Sequence, residues 1–265
     1  MEVRIREKDC LLYALSLGLG RDPLDENDLP YVYERGLQVL PTMAVVLGHP
    51  GPWFDDPRLG ITKEMLVHGT QRLRIHQPLA AGRPMVATNQ VVDVVDKGRE
   101  VGGIVVVRRR LFDAASKALI AEGESGVFCR ADGGFGGHAA LAHEFSAVPA
   151  RGADAELTLQ TEPHQALYYR LNGDMNPLHA DPAVARRAGF PRPILHGLCT
   201  FGMAGVALQK SGGALRSIEA RFSKPVFPGE RIRLEMWRED AGVAFRAWVD
   251  AREAIVLERG RATFF

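Results

Sequence analysis

The feature of this sequence that most limits the folds open to it is a short pattern repeated in its two halves. Residues 78–82 read Pro-Leu-Ala-Ala-Gly and residues 225–229 read Pro-Val-Phe-Pro-Gly, so proline, an apolar residue and glycine recur in the same order. The two copies are 147 positions apart (225 − 78 and 229 − 82). A repeat over this length predicts two similar structural units, which we expect to pack side by side.

Each half is predicted to contain a buried helix followed by strands. In the first half, apolar periodicity predicts a helix over residues 9–19, and residues 31–34 are expected to form a short strand. Residues 41–48 are largely apolar, begin with proline and end with glycine, which predicts a buried central helix. Segments rich in β-branched residues then predict strands at residues 66–76, 85–95, 101–112 and 119–129.

The second half repeats this order of elements. A short helix is predicted at residues 164–171, and a second central helix is predicted at residues 200–210, where small residues permit close packing. Strands are predicted at residues 217–226, 230–239, 243–250 and 255–265. Glycine and small polar residues predict a linker between the halves. The predicted domains are residues 1–130, the linker 131–154 and residues 155–265.

Composition and charge limit the kinds of ligand. Hydrophobic residues are 46% and charged residues 25% of the chain, and the net charge is +1, which predicts neither a nucleic-acid surface nor a membrane surface. The three widely spaced cysteines predict no disulfide framework and no zinc site, and they favour a reducing compartment. Residues 1–6 do not resemble a signal peptide, and residues 263–265 are not a peroxisomal tripeptide. We therefore expect a cytoplasmic protein.

Residues 173–179 (Gly-Asp-Met-Asn-Pro-Leu-His) bring a carboxylate, a carboxamide and an imidazole close together. A glycine at the start permits a sharp turn, and Pro177 holds φ near about −65°, so a rigid loop is expected. Asp181 and Pro182 then indicate the N-cap and first residue of a short helix. Such a loop would hold Asp174 and His179 in place as a pair that exchanges protons with water.

Other interpretations of this segment explain less of it. An Asx-turn at Asp174 or Asn176 would account for an isolated Asp-x-Asn, but not for the full run and the later His196-Gly197. A metal site would need a third ligand beside Asp174 and His179, and none stands out in the sequence. A serine hydrolase would need a Gly-x-Ser-x-Gly elbow, which is lacking.

Three segments of the second half resemble motifs of the R-specific enoyl-CoA hydratases, the MaoC-like family. They are residues 169–179, residues 193–202 (PILHGLCTFG) and residues 221–229 (RFSKPVFPG). The resemblance continues in the first half at residues 67–69, 96–98 and 133–137, so it covers nearly the whole chain, and it is strongest to the hydratase domain of peroxisomal multifunctional enzymes. It implies an α+β double hot-dog fold, in which two antiparallel sheets each wrap around a central helix.

The resemblance also implies an activity and the residues that carry it. The activity is hydration of trans-2-enoyl-CoA to 3R-hydroxyacyl-CoA, with no cofactor because the substrate itself carries coenzyme A. Asp174 and His179 match the catalytic positions, Asn176 would order the loop or the water, and the N–H of Gly197 would stabilise the thioester oxyanion. Glu34 matches a third residue implicated in catalysis, although an exposed strand carboxylate is an equally good reading. Only the second half has the catalytic motif, so we expect the first half to hold the acyl tail.

Four further residues match positions that line the acyl-CoA site: His68, Gly69, Lys97 and Phe222. Lys97 would equally suit an ordinary turn. His196 is interpreted as a structural histidine that holds the loop. The CoA phosphates need cations, and four basic residues flank the motif: Arg186, Arg187, Arg192 and Lys224.

Two other activities remain open at this stage. Hot-dog proteins often hydrolyse acyl-CoA thioesters, so a thioesterase is one alternative, and a non-catalytic acyl-CoA-binding subunit is the other. The run from Asp174 to His179 argues against both. A homodimer of the double hot-dog chain is compatible with the sequence, whereas acyl chain length, branching, pathway and direction of reaction are left undetermined.

Overall fold

The computed structural model describes residues 1–141 and 144–265, and in these residues the chain forms ten strands and five α-helices. The strands are β1 (Glu2–Arg4), β2 (Leu66–Ile75), β3 (Pro84–Asp96), β4 (Gly103–Asp113), β5 (Leu119–Cys129), β6 (Ala155–Gln160), β7 (Leu215–Phe222), β8 (Arg231–Glu239), β9 (Gly242–Val249) and β10 (Ala254–Phe264). The α-helices are α1 (Glu7–Ser16), α2 (Leu29–Val32), α3 (Gln165–Tyr169), α4 (Pro182–Arg187) and α5 (Gly197–Gly212). None of these helices is long and apolar enough to cross a membrane.

All ten described strands form one antiparallel sheet in the order β1-β3-β4-β5-β2-β7-β10-β9-β8-β6. The halves meet where β2 pairs with β7, and at the centre of this pairing Arg72 lies opposite Glu219. These two residues are also 147 positions apart (219 − 72), so the pseudo-twofold axis of the predicted repeat passes between them. In place of two separate sheets, the halves therefore share one, since joining β2 to β7 leaves neither strand as an unpaired edge.

The central helix of the second half is confirmed and is longer than predicted. It is α5, which spans 16 residues and packs against side chains from the first half. Two glycines make this contact possible. A Cβ at Gly202 would lie 2.7 Å from Leu17 Cδ2, and a Cβ at Gly205 would lie 2.5 Å from Thr42 Cγ2. The first half is thus packed directly onto the helix of the second.

The predicted central helix of the first half, residues 41–48, is wrong, because only Pro41–Val45 is helical and it is a short 3₁₀ helix. The Arg109 side chain, from β4, donates hydrogen bonds to the backbone carbonyls of Val45 (2.9 Å) and Leu47 (3.1 Å). Those carbonyls are acceptors that a continuing α-helix would use for its own N–H groups. The segment therefore lies against the sheet without forming a full helix.

Other differences concern short elements. The strand predicted at residues 31–34 is wrong: the chain there ends α2, with Pro30 in the first helical turn, and then bends. The edge strands β1 and β6 were not predicted, whereas the other eight of the nine predicted strands are confirmed with ends that differ by a few residues. The domain boundaries stay a prediction, and two residues of the predicted linker, 142 and 143, lie outside the described residues.

One stability prediction follows from the packing of α5. Changing Gly205 to Val should lower the free energy of unfolding by about 1–3 kcal/mol, because the new side chain overlaps Thr42, which is itself buried. Urea denaturation would measure the loss. The matched control is Gly152→Ala, where a Cβ meets no atom within 4 Å, so its stability should be unchanged. Wild-type stability in Gly205→Val would contradict the described helix contact.

Candidate active site

The loop before His179 is ordered by its own side chains. Gly173 has a φ of +115°, which favours glycine. Asn176 Oδ1 accepts the N–H of Leu178 at 3.0 Å and caps the 3₁₀ helix Pro177–His179. Asp174 Oδ1 accepts the N–H of Asn176 at 3.2 Å, so an Asx-turn is present. The turn occupies one carboxylate oxygen of Asp174, and Asn176 has the loop-ordering role that was one of its two predicted roles.

Helix α4 supports this loop from behind. As predicted, Asp181 is its N-cap, with a side-chain oxygen that accepts the N–H groups of Ala183 at 2.7 Å and Val184 at 3.4 Å. The helix contributes to a small buried apolar cluster, made of Leu178, Ala185, Ala188, Ile194 and Phe227. Because Leu178 belongs both to this cluster and to the loop, the position of His179 is set by buried packing.

Asp174 and His179 form a pair in which one side chain is exposed and the other is buried. Asp174 Oδ2 lies 4.0 Å from His179 Nε2, and the Asp174 side chain is 49% exposed whereas that of His179 is only 9% exposed. His179 Nδ1 lies 2.9 Å from the carbonyl oxygen of Ile194, to which it must donate. In the neutral ring, Nε2 therefore carries the lone pair and faces the carboxylate. Both groups present acceptor atoms toward the same region.

Burial and charge set the protonation states of the pair. Burial lowers the pKa of His179 from its ordinary value, and the Asp174 charge opposes that effect only in part. Burial acts to raise the pKa of Asp174, but the neighbouring imidazoles of His179 and His196 outweigh it, and the pKa lies below the ordinary range. Near neutral pH the carboxylate is ionised and the imidazole is neutral, which suits both for accepting a proton.

His196 connects the two members of the pair. Its ring stacks on that of His179 with centroids 3.6 Å apart and planes 23° apart. Its Nε2–H donates to the backbone carbonyl of Asp174 at 3.2 Å. Burial, assisted by His179, lowers the pKa of His196 to about 3, so the ring is neutral. This geometry agrees with the structural role interpreted from the sequence.

His196 also supplies the third potential metal ligand that the sequence did not reveal. One ligand atom each from Asp174, His179 and His196 lie within 4.8 Å of one another. Imidazole lone pairs lie in the ring plane, and two stacked rings direct them along nearly parallel planes. Zinc ligands instead converge tetrahedrally on one point. The stacking therefore favours acid–base chemistry, and the prediction of no metal stays a prediction.

The N-terminus of α5 lies beside aromatic side chains from β2 and β7, the two strands at which the halves of the sheet meet. Gly197 is the first residue of the helix, so its N–H has no partner within the helix. A Cβ at this position would lie 3.1 Å from the ring of Phe222, and His68 meets Phe222 edge to face with centroids 4.9 Å apart. Three of the predicted residues are thus brought together, with an N–H group available for an oxyanion.

His68 and Gly69 occupy an irregularity in β2. The pairing of β2 with β5 shifts between His68 and Thr70, which leaves Gly69 as an extra residue. A Cβ at Gly69 would lie 3.2 Å from the carbonyl oxygen of Gly126, so this position is tight for any other residue. Burial lowers the pKa of His68 to about 4, and this histidine is therefore neutral near pH 7.

Two of the residues predicted for the site, Glu34 and Lys97, are not joined to the catalytic pair. Glu34 is exposed on the bend after α2, and Lys97 follows β3 and donates from Nζ to the carbonyl of Ala139. Neither residue forms a hydrogen bond or ion pair with Asp174 or His179, all four being described residues. Their assignment as catalytic and substrate-binding residues stays a prediction.

The first half contributes a histidine that the sequence did not reveal. Burial and the charge of Arg109 lower the pKa of His49, whereas the charge of Asp174 acts in the opposite direction. His49 Nδ1 accepts the N–H of Gly51 at 3.1 Å, which leaves Nε2 as the donor of the neutral ring. No local motif marks His49, because it approaches Asp174 only through the tertiary fold.

Comparison with known proteins agrees with this geometry. The model of the MaoC-like domain matches residues 144–257, and that of the MFE-2 hydratase 2 N-terminal domain matches residues 4–131. The chain is 42% identical to 3-hydroxyacyl-thioester dehydratase Y of Mycobacterium tuberculosis, over 97% of this chain and 92% of that protein. It is 36% identical to peroxisomal enoyl-CoA hydratase 2 of Arabidopsis thaliana, over 95% and 87% of the two chains.

A solved structure supports the fold. The MaoC-like dehydratase of Phytophthora capsici is 32% identical and has a TM-score of 0.84, covering 100% of this chain and 94% of that one. The double hot-dog prediction is confirmed by this likeness together with the symmetric sheet. With both halves matched and a relative 42% identical over almost its whole length, the chain belongs to the MaoC-like family of double hot-dog hydratases and dehydratases.

Proposed function

We propose that this protein is an R-specific enoyl-CoA hydratase, which adds water reversibly to trans-2-enoyl-CoA to give (3R)-3-hydroxyacyl-CoA. The observation that supports this most directly is the Asp174–His179 pair, with acceptor atoms 4.0 Å apart beside the free N–H of Gly197. The pair accounts for proton transfer and the helix N-terminus accounts for the oxyanion, which are the two requirements of the reaction.

The proposed reaction balances without a cofactor. Water forms a bond from its oxygen to C3, and one member of the pair takes a proton from that water. The pair then delivers this proton to C2, where the electron pair that returns from the thioester oxygen forms the new C–H bond. The electron pair of the C2–C3 double bond moves toward the thioester oxygen, where the Gly197 N–H and the positive end of α5 stabilise the developing charge. The proton removed from water equals the proton gained by C2, so the enzyme returns to its starting state.

Basic residues near α4 are proposed to bind the CoA phosphates. Arg186 and Arg187 lie in the last turn of α4 and are exposed, as is Lys224. Arg192 is already engaged, with its guanidinium 5.1 Å from the centroid of the Phe227 ring. The first three therefore have the freer charges for a phosphate.

The first half is proposed to hold the acyl tail. Its short 3₁₀ helix takes the place of a full central helix and leaves apolar side chains uncovered, such as Val91 and Val94, which are 45% and 44% exposed. Apolar surface of this kind suits an alkyl chain.

The decisive experiment uses the pure protein with crotonyl-CoA. Hydration removes the absorbance of the conjugated enoyl thioester and releases no thiol, whereas a thioesterase would release free CoA. A protein that binds acyl-CoA without either change would be a non-catalytic subunit. Loss of enoyl absorbance with no thiol supports the proposed function, and either other outcome contradicts it.

Acyl chain length gives a further prediction. Because the first half offers an apolar surface, kcat/KM for medium-chain trans-2-enoyl-CoAs should equal or exceed that for crotonyl-CoA. Steady-state kinetics over a series of chain lengths would measure this. The placement of the tail would be wrong if kcat/KM collapsed for every chain longer than that of crotonyl-CoA.

We also propose a cytoplasmic location and a homodimer of the double hot-dog chain. Cys10, Cys129 and Cys199 are free and buried, which suits a reducing compartment. Some relatives have names that include the word peroxisomal, and those names refer to the relatives and not to this chain.

A further inference from the structure

Strand β4 contains three consecutive arginines, of which the outer two have acidic partners. Arg108 lies opposite Glu124 on β5, and their side chains approach to 2.6 Å between Nη2 and Oε1. Arg110 lies opposite Glu122, with Nε 3.4 Å from Oε2. Successive strand residues point to opposite faces, so these two share a face and the middle arginine, Arg109, points to the other.

Arg109 lies on the inner face of the sheet, defined here as the face on which Leu111 and Ala121 are buried. It is opposite Gly123, which has no side chain, and it forms no ion pair with any described residue. Burial lowers the pKa of Arg109 to about 10, so the group is still charged at neutral pH. Burying a cation in part without a counter-ion costs free energy, and an anionic ligand would offset that cost.

The guanidinium is held firmly in place. Nε donates to Asn89 Oδ1 at 2.9 Å, and Nη1 donates to the carbonyls of Val45 and Leu47. Asn89 in turn donates to the carbonyl of Gly48 at 2.9 Å. The remaining nitrogen, Nη2, has no hydrogen-bond partner among the described residues. The group is therefore oriented, and the donors of Nη2 are left without a partner among the described residues.

The inner face changes from apolar to polar along β3 and β4. The register pairs Val94 with Val105, Val91 with Val107, and then Asn89 with Arg109. Val105 is also opposite Val127, which is opposite His68, the residue that contacts Phe222 in the candidate site. From the level of His68 to Arg109 the distance is about 14 Å along β4, at about 3.4 Å for each of four residues. An acyl tail that follows the valines would reach Arg109 at its distal end.

We propose that Arg109 binds a carboxylate at the distal end of the acyl chain, so that the enzyme accepts medium-chain enoyl-CoA thioesters that end in a carboxylate. This specificity rests on the proposed hydratase function. The charges of Arg109 and Asp174 both act on His68 and His49, so the guanidinium and the candidate site share these two neighbours. The valines favour an alkyl chain, and the Arg109 guanidinium at their end favours a carboxylate at the end of that chain.

The test compares medium-chain trans-2-enoyl-CoAs of equal length that end in a methyl group or in a carboxylate. The readout is the ratio of kcat/KM for the carboxylate substrate to that for the methyl substrate, which divides out any general loss of structure. In the wild type this ratio should be at or above unity. Arg109→Gln, which keeps an amide donor near the position of Nε but removes the charge, should lower it roughly 10- to 100-fold.

Arg108→Gln is the matched control, because it removes an equal charge from the other face of the same strand. Its ratio should equal that of the wild type. If Arg109→Gln does not fold, Arg109→Lys keeps the charge without the fork and should retain a ratio between those of the wild type and an uncharged site. A wild type that hydrates the methyl substrate but rejects the carboxylate one overturns the proposal, as does an unchanged ratio in Arg109→Gln. Failure to hydrate any enoyl-CoA would instead overturn the proposed function.

Discussion

Replacing Asp174 with asparagine is expected to lower kcat roughly 10²- to 10⁴-fold, with little change in KM. Asparagine keeps the shape of the side chain, and its Oδ1 can still accept the N–H of Asn176, so the loop should be preserved. What it removes is the charged oxygen that faces His179 Nε2 at 4.0 Å. Steady-state kinetics with crotonyl-CoA would measure the loss.

The control for this change is Asp181→Asn, a neighbouring carboxylate that caps α4. Asparagine caps helices about as well as aspartate, so this variant should fold and keep the wild-type kcat. The assignment of Asp174 is wrong if Asp174→Asn folds normally and retains more than about a tenth of the wild-type kcat, a loss well short of the general acid–base range.

The parts of the structure that could be predicted from the sequence are those determined locally. Asp181 caps α4 because its side chain reaches N–H groups two and three residues ahead, a contact that a few adjacent residues decide. The loop before His179 was likewise predicted as rigid, because Pro177 restricts its backbone directly and Gly173 permits the turn that precedes it. Strands such as β5 were located within a few residues by their β-branched pattern and turn residues.

The parts that could not be predicted depend on distant residues. The apolar stretch at residues 41–48 has the pattern of a buried helix, but Arg109, far along the chain, binds its carbonyls and keeps it a short 3₁₀ helix. Similarly, nothing local indicates that the ring of His196 stacks on that of His179. Apolar periodicity indicates which side of a segment is buried, but not which group forms hydrogen bonds with its backbone.

The two halves of the sheet differ in a way that fits a division of labour. The second half keeps the long helix α5, whose free N-terminus lies beside the catalytic loop. The first half has only the 3₁₀ helix Pro41–Val45 in the corresponding place, which leaves the inner face of β3 and β4 partly uncovered. Since both share one sheet through β2 and β7, the chemistry and the tail-binding surface are held in a fixed relation.

The second large effect concerns the Asp174–His179 pair as a unit. His179→Ala should also lower kcat roughly 10²- to 10⁴-fold, because it removes the imidazole that shares the water with Asp174. The double variant Asp174→Asn/His179→Ala should be little worse than either single variant, since neither group can complete both proton transfers alone. Kinetics of all three variants with crotonyl-CoA would measure the coupling.

Folding must be checked separately for His179. The sequence led us to expect both side chains at the cleft, but His179 is buried, so alanine leaves the carbonyl of Ile194 without its donor at a cost of about 1–3 kcal/mol. The kinetics should therefore be measured well below the Tm of each variant, with His164→Ala, an exposed histidine, as a control that keeps the wild-type kcat. Two losses that multiply in the double variant would mean that Asp174 and His179 act independently, and the shared-water mechanism would then be excluded.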